Sequence, residues 1–229
     1  MNLILVAHGT RKPGGVAMVG DLAAQAGALL GHTVRVGFVD VLGPTPREVL
    51  SSVVATGQPA VVVPAFLSRG YHVRTDVPAH VAASGHPDVT VTDSLGPSPQ
   101  MARLVADRLV ESGWRPGDSV ILAAAGTSDP MARSDLHVIS TLLSALTGSR
   151  VEPAFAATGD PSVREAVADL RRRVPGRVVV ASYLLADGLF QDRLRYSGAD
   201  LVSEPLGTHP GVARLIANRF RRARVAATV

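Results

Sequence analysis

The feature that most constrains the fold of this chain is an internal repeat. The segment LVAHGTRKP, residues 5–13, aligns with LAAAGTSDP, residues 122–130, at an offset of 117. The segment VVVPAFL, residues 61–67, aligns with VVVASYL, residues 178–184, at the same offset. Matches in one order along the chain indicate a structural unit that has been duplicated.

Each copy of the repeat alternates between predicted strands and predicted helices. The Gly- and Pro-containing segment SGWRPGDS, residues 112–119, is typical of a boundary between the copies. Alternation of this kind implies a parallel sheet that is covered by helices. We therefore predict an α/β protein with two similar flavodoxin-like domains, residues 1–115 and 116–229, each a four-stranded mainly parallel sheet in the order 2-1-3-4 with helices on both faces. In the first copy the predicted strands are 3–7, 34–39, 60–64 and 89–93, and the predicted helices are 16–30, 45–55, 76–83 and 99–111.

Composition excludes several classes of protein. The chain has no cysteine, so disulfides, thiolate metal sites and cysteine nucleophiles are ruled out. Its apolar runs are too short to span a membrane and it opens without a secretory signal, so we expect a cytoplasmic protein with no membrane partner. The net charge is +4, but the arginines are dispersed and aromatic residues make up only 4%. We expect no nucleic-acid partner, whereas a small polyanion suits these arginines.

Three polar side chains follow neighbouring strands of the predicted first sheet. His8 ends the first strand, Asp40 ends the second, and His72 lies eight residues beyond the third. In open parallel sheets, ligands bind outside the carboxyl ends of the strands. The strand order places Asp40 and His72 on either side of His8, so we expect their side chains to converge. Two imidazoles and a carboxylate suit iron(II), cobalt(II) or nickel(II).

The second copy serves as an internal control for these residues. If the histidines were needed for packing, the second copy would need them as well. At the offset of 117 the small residues are kept and the polar ones are lost, which favours a functional role in the first copy. Gly9 and Thr10 reappear as Gly126 and Thr127, whereas His8, Asp40 and His72 become Ala125, Ala157 and Leu189.

Cationic residues accompany both histidines. A cleft that concentrates positive charge attracts anions, so we predict that these cations bind a substrate with several carboxylates. Gly9 and Thr10 join the predicted substrate-binding set, because glycine permits a tight turn and close approach of a ligand. The alternative for each cation is an ordinary solvated loop charge. The four cations are Arg11, Lys12, Arg69 and Arg74.

Three motifs in order resemble the class II sirohydrochlorin chelatase family, which inserts ferrous iron or cobalt into sirohydrochlorin. They are LVAHGTRKP, FVDVLGPTP and VVVPAFLSRGYHVRTDVP, and the resemblance covers the whole chain because long bacterial members are tandem duplications. The resemblance implies two chelatase-like domains with the active site in the first. It also implies that His8 and His72 are the catalytic, metal-handling pair and that Asp40 stands where the family often has glutamate.

The resemblance further implies the substrates. Sirohydrochlorin is a tetrapyrrole with eight carboxylates, which gives the cationic residues a partner. The divalent metal is a second substrate and no cofactor is bound permanently. We expect one imidazole to hold the ion while the pair accepts protons and Asp40 orients it. ATP is not expected, since no GxxxxGK[ST] motif is present.

Several alternatives remain open at this stage. The chain lacks the histidine-rich segment or cysteine-ligated cluster of long cobalt-inserting members, which favours iron and sirohaem, with cobalt or nickel as the alternative. A non-catalytic tetrapyrrole or metal carrier would use the same residues. A histidine phosphatase would need arginine where Ala7 stands. The second copy has two possible roles. It is either purely structural, or it forms the other wall of the substrate cleft, in which case Leu189, Phe190 and Arg193 face the substrate. We expect a monomer with intrachain pseudo-two-fold symmetry.

Overall fold

Two four-stranded sheets form the framework in the part of the chain that the computed structural model describes, residues 1–207 and 209–226. All strand pairs in them are parallel. The strands are β1 Asn2–Ala7, β2 Val34–Phe38, β3 Ala60–Pro64, β4 Val89–Val91, β5 Ser119–Ala124, β6 Glu152–Phe155, β7 Val178–Tyr183 and β8 Leu201–Val202. The strand orders are β2-β1-β3-β4 and β6-β5-β7-β8. The predicted α/β fold and the order 2-1-3-4 are confirmed in both copies.

Helices follow the strands as the periodicity predicts. Proline stands at the start of most of them, where its missing N–H costs nothing, and α1 begins three residues earlier than predicted for this reason. No helix within the described residues is long and apolar enough to cross a lipid bilayer. The α-helices are α1 Pro13–Leu30, α2 Pro46–Val53, α3 Val77–Ala82, α4 Pro99–Glu111, α5 Pro130–Thr147, α6 Val163–Arg173, α7 Leu189–Arg195 and α8 Pro210–Ala226, with a 3-10 turn at Val54–Thr56 and a π-helical turn at His72–Asp76.

Both faces of the first sheet are buried. Ile4 and Val6 of β1 pack with Val49 of α2 and Val77 of α3 in one hydrophobic cluster. Because successive side chains of a strand point to opposite faces, Leu5 lies on the other face, and it is also fully buried. Helices α1 and α8 pack on each other and contact β2 and β3 respectively. The sheet is therefore a central layer, and only its strand ends and the loops after them are open to a ligand.

The two compact units exchange their last helices. One unit contains residues 1–95 together with α8, and the other contains residues 96–207. Helix α4, from the first repeat, packs on α5 and contacts β7, whereas α8, from the second repeat, packs on α1 and contacts β3. The predicted division at 115/116 describes the duplication, but the compact units are divided before α4 and again before α8.

Backbone hydrogen bonds correct the alignment of β3 with β7. The Asn2 N–H donates to Pro59 O, and the Ser119 N–H donates to Arg177 O. Asn2 and Ser119 are 117 residues apart, whereas Pro59 and Arg177 are 118 apart. The same shift recurs beyond the strands, where Leu95 donates to Phe66 O and Leu206 donates to Leu184 O. The structural counterpart of His72 is therefore Phe190, and the sequence-based pairing with Leu189 is wrong by one residue.

Candidate functional site

His8 is the first residue after β1 and its side chain is exposed at the carboxyl end of the sheet. Its Nδ1 lies 3.0 Å from the carbonyl oxygen of Gly9. Since a carbonyl can only accept, Nδ1 is the protonated nitrogen of the neutral ring, and Nε2 carries the lone pair. The His8 imidazole therefore presents an acceptor nitrogen to the solvent-facing side of the strand ends.

Gly9 is required by the backbone around His8. Its φ is +99°, and a Cβ at this position would lie 2.2 Å from the carbonyl oxygen of Asp40. The second unit repeats this feature at Gly126, where a Cβ would lie 2.3 Å from the carbonyl oxygen of Thr158. The glycine is kept in both copies because two loops approach closely at this point. Its predicted contact with substrate stays a prediction.

His72 lies directly beside His8. The centroids of the two rings are 4.6 Å apart and the ring planes are nearly perpendicular, at 87°. Phe66 stacks on His72 with a centroid distance of 6.0 Å and an angle of 26°. The Nδ1 of His72 donates to Oδ2 of Asp76 over 2.5 Å, and in the neutral form of the ring this leaves Nε2 with the lone pair as well. The predicted pair of histidines is thus brought together, with both rings in the same tautomer.

The π-helical turn that carries His72 accommodates one extra residue. Phe66 and the buried Val77 are eleven residues apart in the first unit, whereas their counterparts Leu184 and Leu194 are ten apart. The Val77 N–H donates to His72 O, a hydrogen bond across five residues. The second unit has an ordinary α-helix at this place. Single π-helical turns are frequent at functional sites. This one occurs at the candidate site and not at the corresponding place in the second unit.

Asp40 is a backbone neighbour of His8, but its side chain does not join the pair. The Asp40 N–H donates to His8 O over 3.0 Å. The carboxylate instead accepts from the N–H of Val41 over 2.7 Å, and among the described residues it makes no hydrogen bond with either imidazole. No group of three or more His, Asp or Glu side chains that could hold a metal occurs in the described ranges. The structure brings together two of the three predicted residues.

Three of the four predicted cations lie in the loops after β1 and β3, Arg74 lies in the π-helical turn, and all four are exposed. Arg74 Nε donates to the carbonyl oxygen of Arg69 over 3.2 Å, which ties the two together. Lys12 immediately precedes α1 and makes no side-chain capping bond, whereas its counterpart Asp129 caps α5 by accepting from the Met131 N–H. An anion is favoured at a helix start that carries a cation and disfavoured at one that carries a carboxylate. The charge around the first site is not shared by the second.

Thr10 serves the turn into α1. Its Oγ1 accepts from the Lys12 N–H over 3.1 Å, and Thr127 does the same for Asp129 over 3.0 Å. A Cβ on Gly15 would lie 2.4 Å from the Thr10 methyl group, so the threonine also fills the space beside the helix. Because both copies use the threonine identically, this contact accounts for its presence in the repeat without a ligand.

Asp76 is the residue that our sequence reasoning did not select. It lies four residues after His72, and residues at this spacing in a helix are neighbours on one face. The segment YHVRTDVP contains that spacing, so a search for carboxylates near each candidate histidine would have found it. Its carboxylate, 27% exposed, contacts the ring of His72 directly.

The corresponding place in the second unit has no ionisable ligand. Ala125 replaces His8 and Phe190 replaces His72. The guanidinium of Arg193 lies over the Phe190 ring at 5.8 Å and donates to the carbonyl oxygen of Ala156. Leu189 and Phe190 are exposed, 58% and 39% respectively. Their contact with a substrate stays a prediction.

Comparison with known proteins adds relatives and solved structures. The sirohydrochlorin ferrochelatase of Priestia megaterium is 22% identical over 236 residues, which cover 96% of this chain and 89% of that protein. The sirohydrochlorin cobaltochelatase of the same organism is 28% identical over 206 residues, covering 84% and 67%. A structure of SirB from Bacillus subtilis with Fe3+ matches with a TM-score of 0.86 at 21% identity, covering 97% of this chain and 95% of that one. This last likeness supports the fold alone.

A family model matches both copies of the repeat. The model of the CbiX family matches residues 2–112 and again residues 119–223, once for each copy of the repeat. The two matches leave only short segments uncovered at the ends and between the copies. The chain belongs to the CbiX family.

Proposed function

We propose that this protein inserts a divalent metal ion into sirohydrochlorin without ATP, and that ferrous iron is the ion, which gives sirohaem. The observation that carries the proposal is the His8–His72 pair at the carboxyl end of the first sheet, with both Nδ1 atoms engaged and both Nε2 atoms left as acceptors. Sirohydrochlorin is the proposed substrate because the Priestia megaterium relatives are named as sirohydrochlorin chelatases.

Metal insertion needs acceptors for two kinds of cation. The ion must shed water on its way to the four nitrogens of the macrocycle, and two pyrrole protons must leave. A neutral imidazole nitrogen with a lone pair can bind a first-row divalent ion or accept a proton. Two such rings 4.6 Å apart supply both functions at one place, one holding the incoming ion while the pair accepts protons.

The incomplete metal cage supports a transient ion. Structural metal sites are closed by four protein ligands, whereas sites that act on a bound ion keep positions open. Two imidazoles leave most of the coordination sphere to water and to the macrocycle, which is what an ion in transit requires. The backbone of Asp40 is hydrogen-bonded to that of His8, and its carboxylate accepts from the Val41 N–H. In this conformation the carboxylate would contribute negative charge near the pair without binding the ion.

The cations at the strand ends fit the other substrate. The segments that carry the two histidines also carry four exposed cations, Arg11, Lys12, Arg69 and Arg74. Arginine pairs readily with carboxylates because its planar fork offers two parallel donors. A macrocycle with eight carboxylates can therefore be held at its rim while its centre faces the imidazoles.

Cobalt insertion is the second candidate. The relatives from Priestia megaterium and Methanothermobacter thermautotrophicus that bear the cobaltochelatase name are each 28% identical to this chain. The ferrochelatase relative has a lower identity, 22%, but its alignment includes 96% of this chain and 89% of that protein. Coverage by a single relative favours iron, and the rates with the two metals decide between them.

The proposal predicts that His8→Ala and His72→Ala each lower the rate of metal insertion by about 10²-fold or more, the range for loss of a positioned proton acceptor. The measurement is the absorbance change of sirohydrochlorin with iron(II) and with cobalt(II), under anaerobic conditions and with substrate in excess of enzyme. His137→Ala is the matched control, because this histidine is exposed on α5 in the other unit.

Three results would contradict parts of the proposal. Absence of turnover by the unmodified protein would leave a tetrapyrrole or metal carrier. Turnover that survives in both histidine variants would place the reaction elsewhere. A faster reaction with cobalt than with iron would replace sirohaem by a cobalt product.

A further inference from the structure

Among the described residues, the carboxylate of Asp76 makes one hydrogen bond, with the imidazole of His72. Asp76 is the last residue of the π-helical turn and α3 follows it directly, so no helix end at this place needs a capping side chain. It makes no side-chain capping bond, and its backbone is already helical, with φ −71° and ψ −46°. Its Oδ2 instead accepts from His72 Nδ1. The position of the carboxylate therefore serves the histidine and not the helix.

We propose that Asp76 is a positioning residue that holds His72 in the tautomer and orientation in which Nε2 is the acceptor; the inference rests on the function proposed above. A neutral imidazole has two tautomers, and a fixed acceptor at Nδ1 selects the one with its lone pair on Nε2. Carboxylates that accept from the remote nitrogen of a metal-binding histidine also fix the plane of the ring.

The aromatic side chains packed around His72 restrain its ring, but the hydrogen bond that fixes its tautomer is made by Asp76. Phe66 restrains one face of the ring by stacking, and Tyr71 lies edge-on with a centroid distance of 6.0 Å. Within the described part of the chain, the hydrogen bond of Nδ1 is made with Asp76 and with neither of these aromatic side chains. His8 is held in the same tautomer by a different group, the carbonyl oxygen of Gly9. Each histidine thus has its own acceptor, one from the backbone and one from a side chain.

The degenerate unit has lost the acceptor together with the histidine. The residues at the corresponding point of α7 are Arg193 and Leu194, and neither can accept a proton from a ring nitrogen. Leu194 is fully buried in the core of its unit. A carboxylate whose only role was to stabilise the helix would have no reason to disappear with the imidazole.

Asp76→Asn tests the inference, because asparagine has the same shape but can turn its NH₂ group toward Nδ1. If the neutral amide oxygen faces Nδ1 instead, it is a weaker acceptor than the carboxylate, so in either orientation the preference for a proton on Nδ1 falls and the fraction of rings with the proton on Nε2, the wrong tautomer for binding an ion, rises. Asp76→Glu keeps a carboxylate and is the conservative variant. Asp169→Asn is the matched control, since Asp169 also pairs with a residue four positions later, Arg173, on α6 of the other unit.

The first readout is the long-range nitrogen–proton spectrum of the histidine rings, recorded without metal at alkaline pH, where histidine is neutral. We expect His72 in the unmodified protein to show the Nδ1-protonated pattern and Asp76→Asn to shift it toward the other tautomer. The second readout is metal insertion, for which Asp76→Asn is expected to lower kcat by about 10- to 100-fold. The KM for sirohydrochlorin should be unchanged, and Asp76→Glu should recover part of the rate.

An unchanged tautomer of His72 in Asp76→Asn would overturn the inference, and so would an unchanged kcat in an active enzyme. The spectrum separates this failure from that of the proposed function. If the unmodified protein inserts no metal but the ring pattern shifts in the variant, the chelatase proposal falls and the positioning role stands.

Discussion

Among single residues, Gly9 carries the tightest steric constraint near the histidine pair. With φ +99° and the Asp40 carbonyl in the place of a Cβ, the substitution Gly9→Ala must displace one of two loops. We expect it to lower the free energy of unfolding by about 1–3 kcal/mol, the cost of holding a non-glycine residue in a sparsely populated region.

Gly14→Ala is the matched control for Gly9→Ala. A Cβ on Gly14 would meet no atom within 4 Å, and this residue lies in the first turn of α1. Alanine there should leave stability unchanged or raise it slightly, since it reduces the freedom of the unfolded chain. Urea unfolding of the two variants checks both expectations, and equal midpoints would contradict the steric argument.

The histidine pair was predictable from the sequence, and the geometry around it was only partly so. The predicted strand order placed His8 and His72 near each other, and their absence from the second copy indicated a function. Strand order and the repeat are both patterns that extend over a whole copy, so the sequence reveals them. The direction of the Asp40 carboxylate depends on Val41, whose φ of +70° is unusual for a β-branched residue. The local sequence gives no sign of this conformation.

Among the secondary-structure elements, α2 and α6 begin with the same capping box. Thr45 and Ser162 accept from the N–H of Glu48 and Glu165, whose carboxylates accept in return. Hydrogen bonds from the Thr45 backbone and hydroxyl lower the pKa of Glu48 below its ordinary value of 4.5. Those from the Ser162 hydroxyl and backbone do the same to the pKa of Glu165.

These capping boxes predict a loss of stability in acid. Because the pKa of each glutamate is lower in the folded than in the unfolded chain, its contribution is present above the ordinary value of 4.5 and is lost as the pH falls through the folded pKa. The double variant Glu48→Gln, Glu165→Gln should show a flatter decline of the urea midpoint over that acid range. Each single variant should fall between the double variant and the unmodified protein, and identical slopes would contradict the prediction.

The elements themselves were predictable to within a few residues, but two details were not. The segment VVV occurs in both β3 and β7, so the sequence matches nearly as well at an offset of 118 as at 117. Only the hydrogen bonds decide between the two registers. The π-helical turn leaves no mark in the apolar periodicity, because its extra residue lies on the exposed side of the segment.

Considered as a whole, the molecule consists of two units that share their helices across the repeat. This exchange was not predictable, because the segments that contain α4 and α8 resemble each other, LGPSPQMARLVADRL and LGTHPGVARLIANRF. Either helix offers a similar apolar face to either sheet. Contacts of α8 reinforce its position in the first unit, where Arg219 donates to Ser94 O and Arg221 donates to Leu29 O.

The exchange predicts that cutting the chain between the repeats does not separate them. A protease site introduced within residues 113–117 gives two fragments, each of which contributes a helix to the compact unit formed mainly by the other. The fragments should elute together in size-exclusion chromatography after cleavage and separate only in denaturant. Separate elution under native conditions would show that α4 and α8 pack within their own repeats.

The position of α8 in the first unit also affects when that unit can finish folding during translation. Domains usually fold from the amino terminus as the ribosome releases them. Here most of the unit that carries His8 and His72 precedes the second unit in the chain, yet α8, which packs on α1 of the first unit, is translated after the second unit. A nascent chain that stops before α8 therefore holds both histidines but does not complete the unit around them. Translation of α8 becomes the step that finishes the first unit.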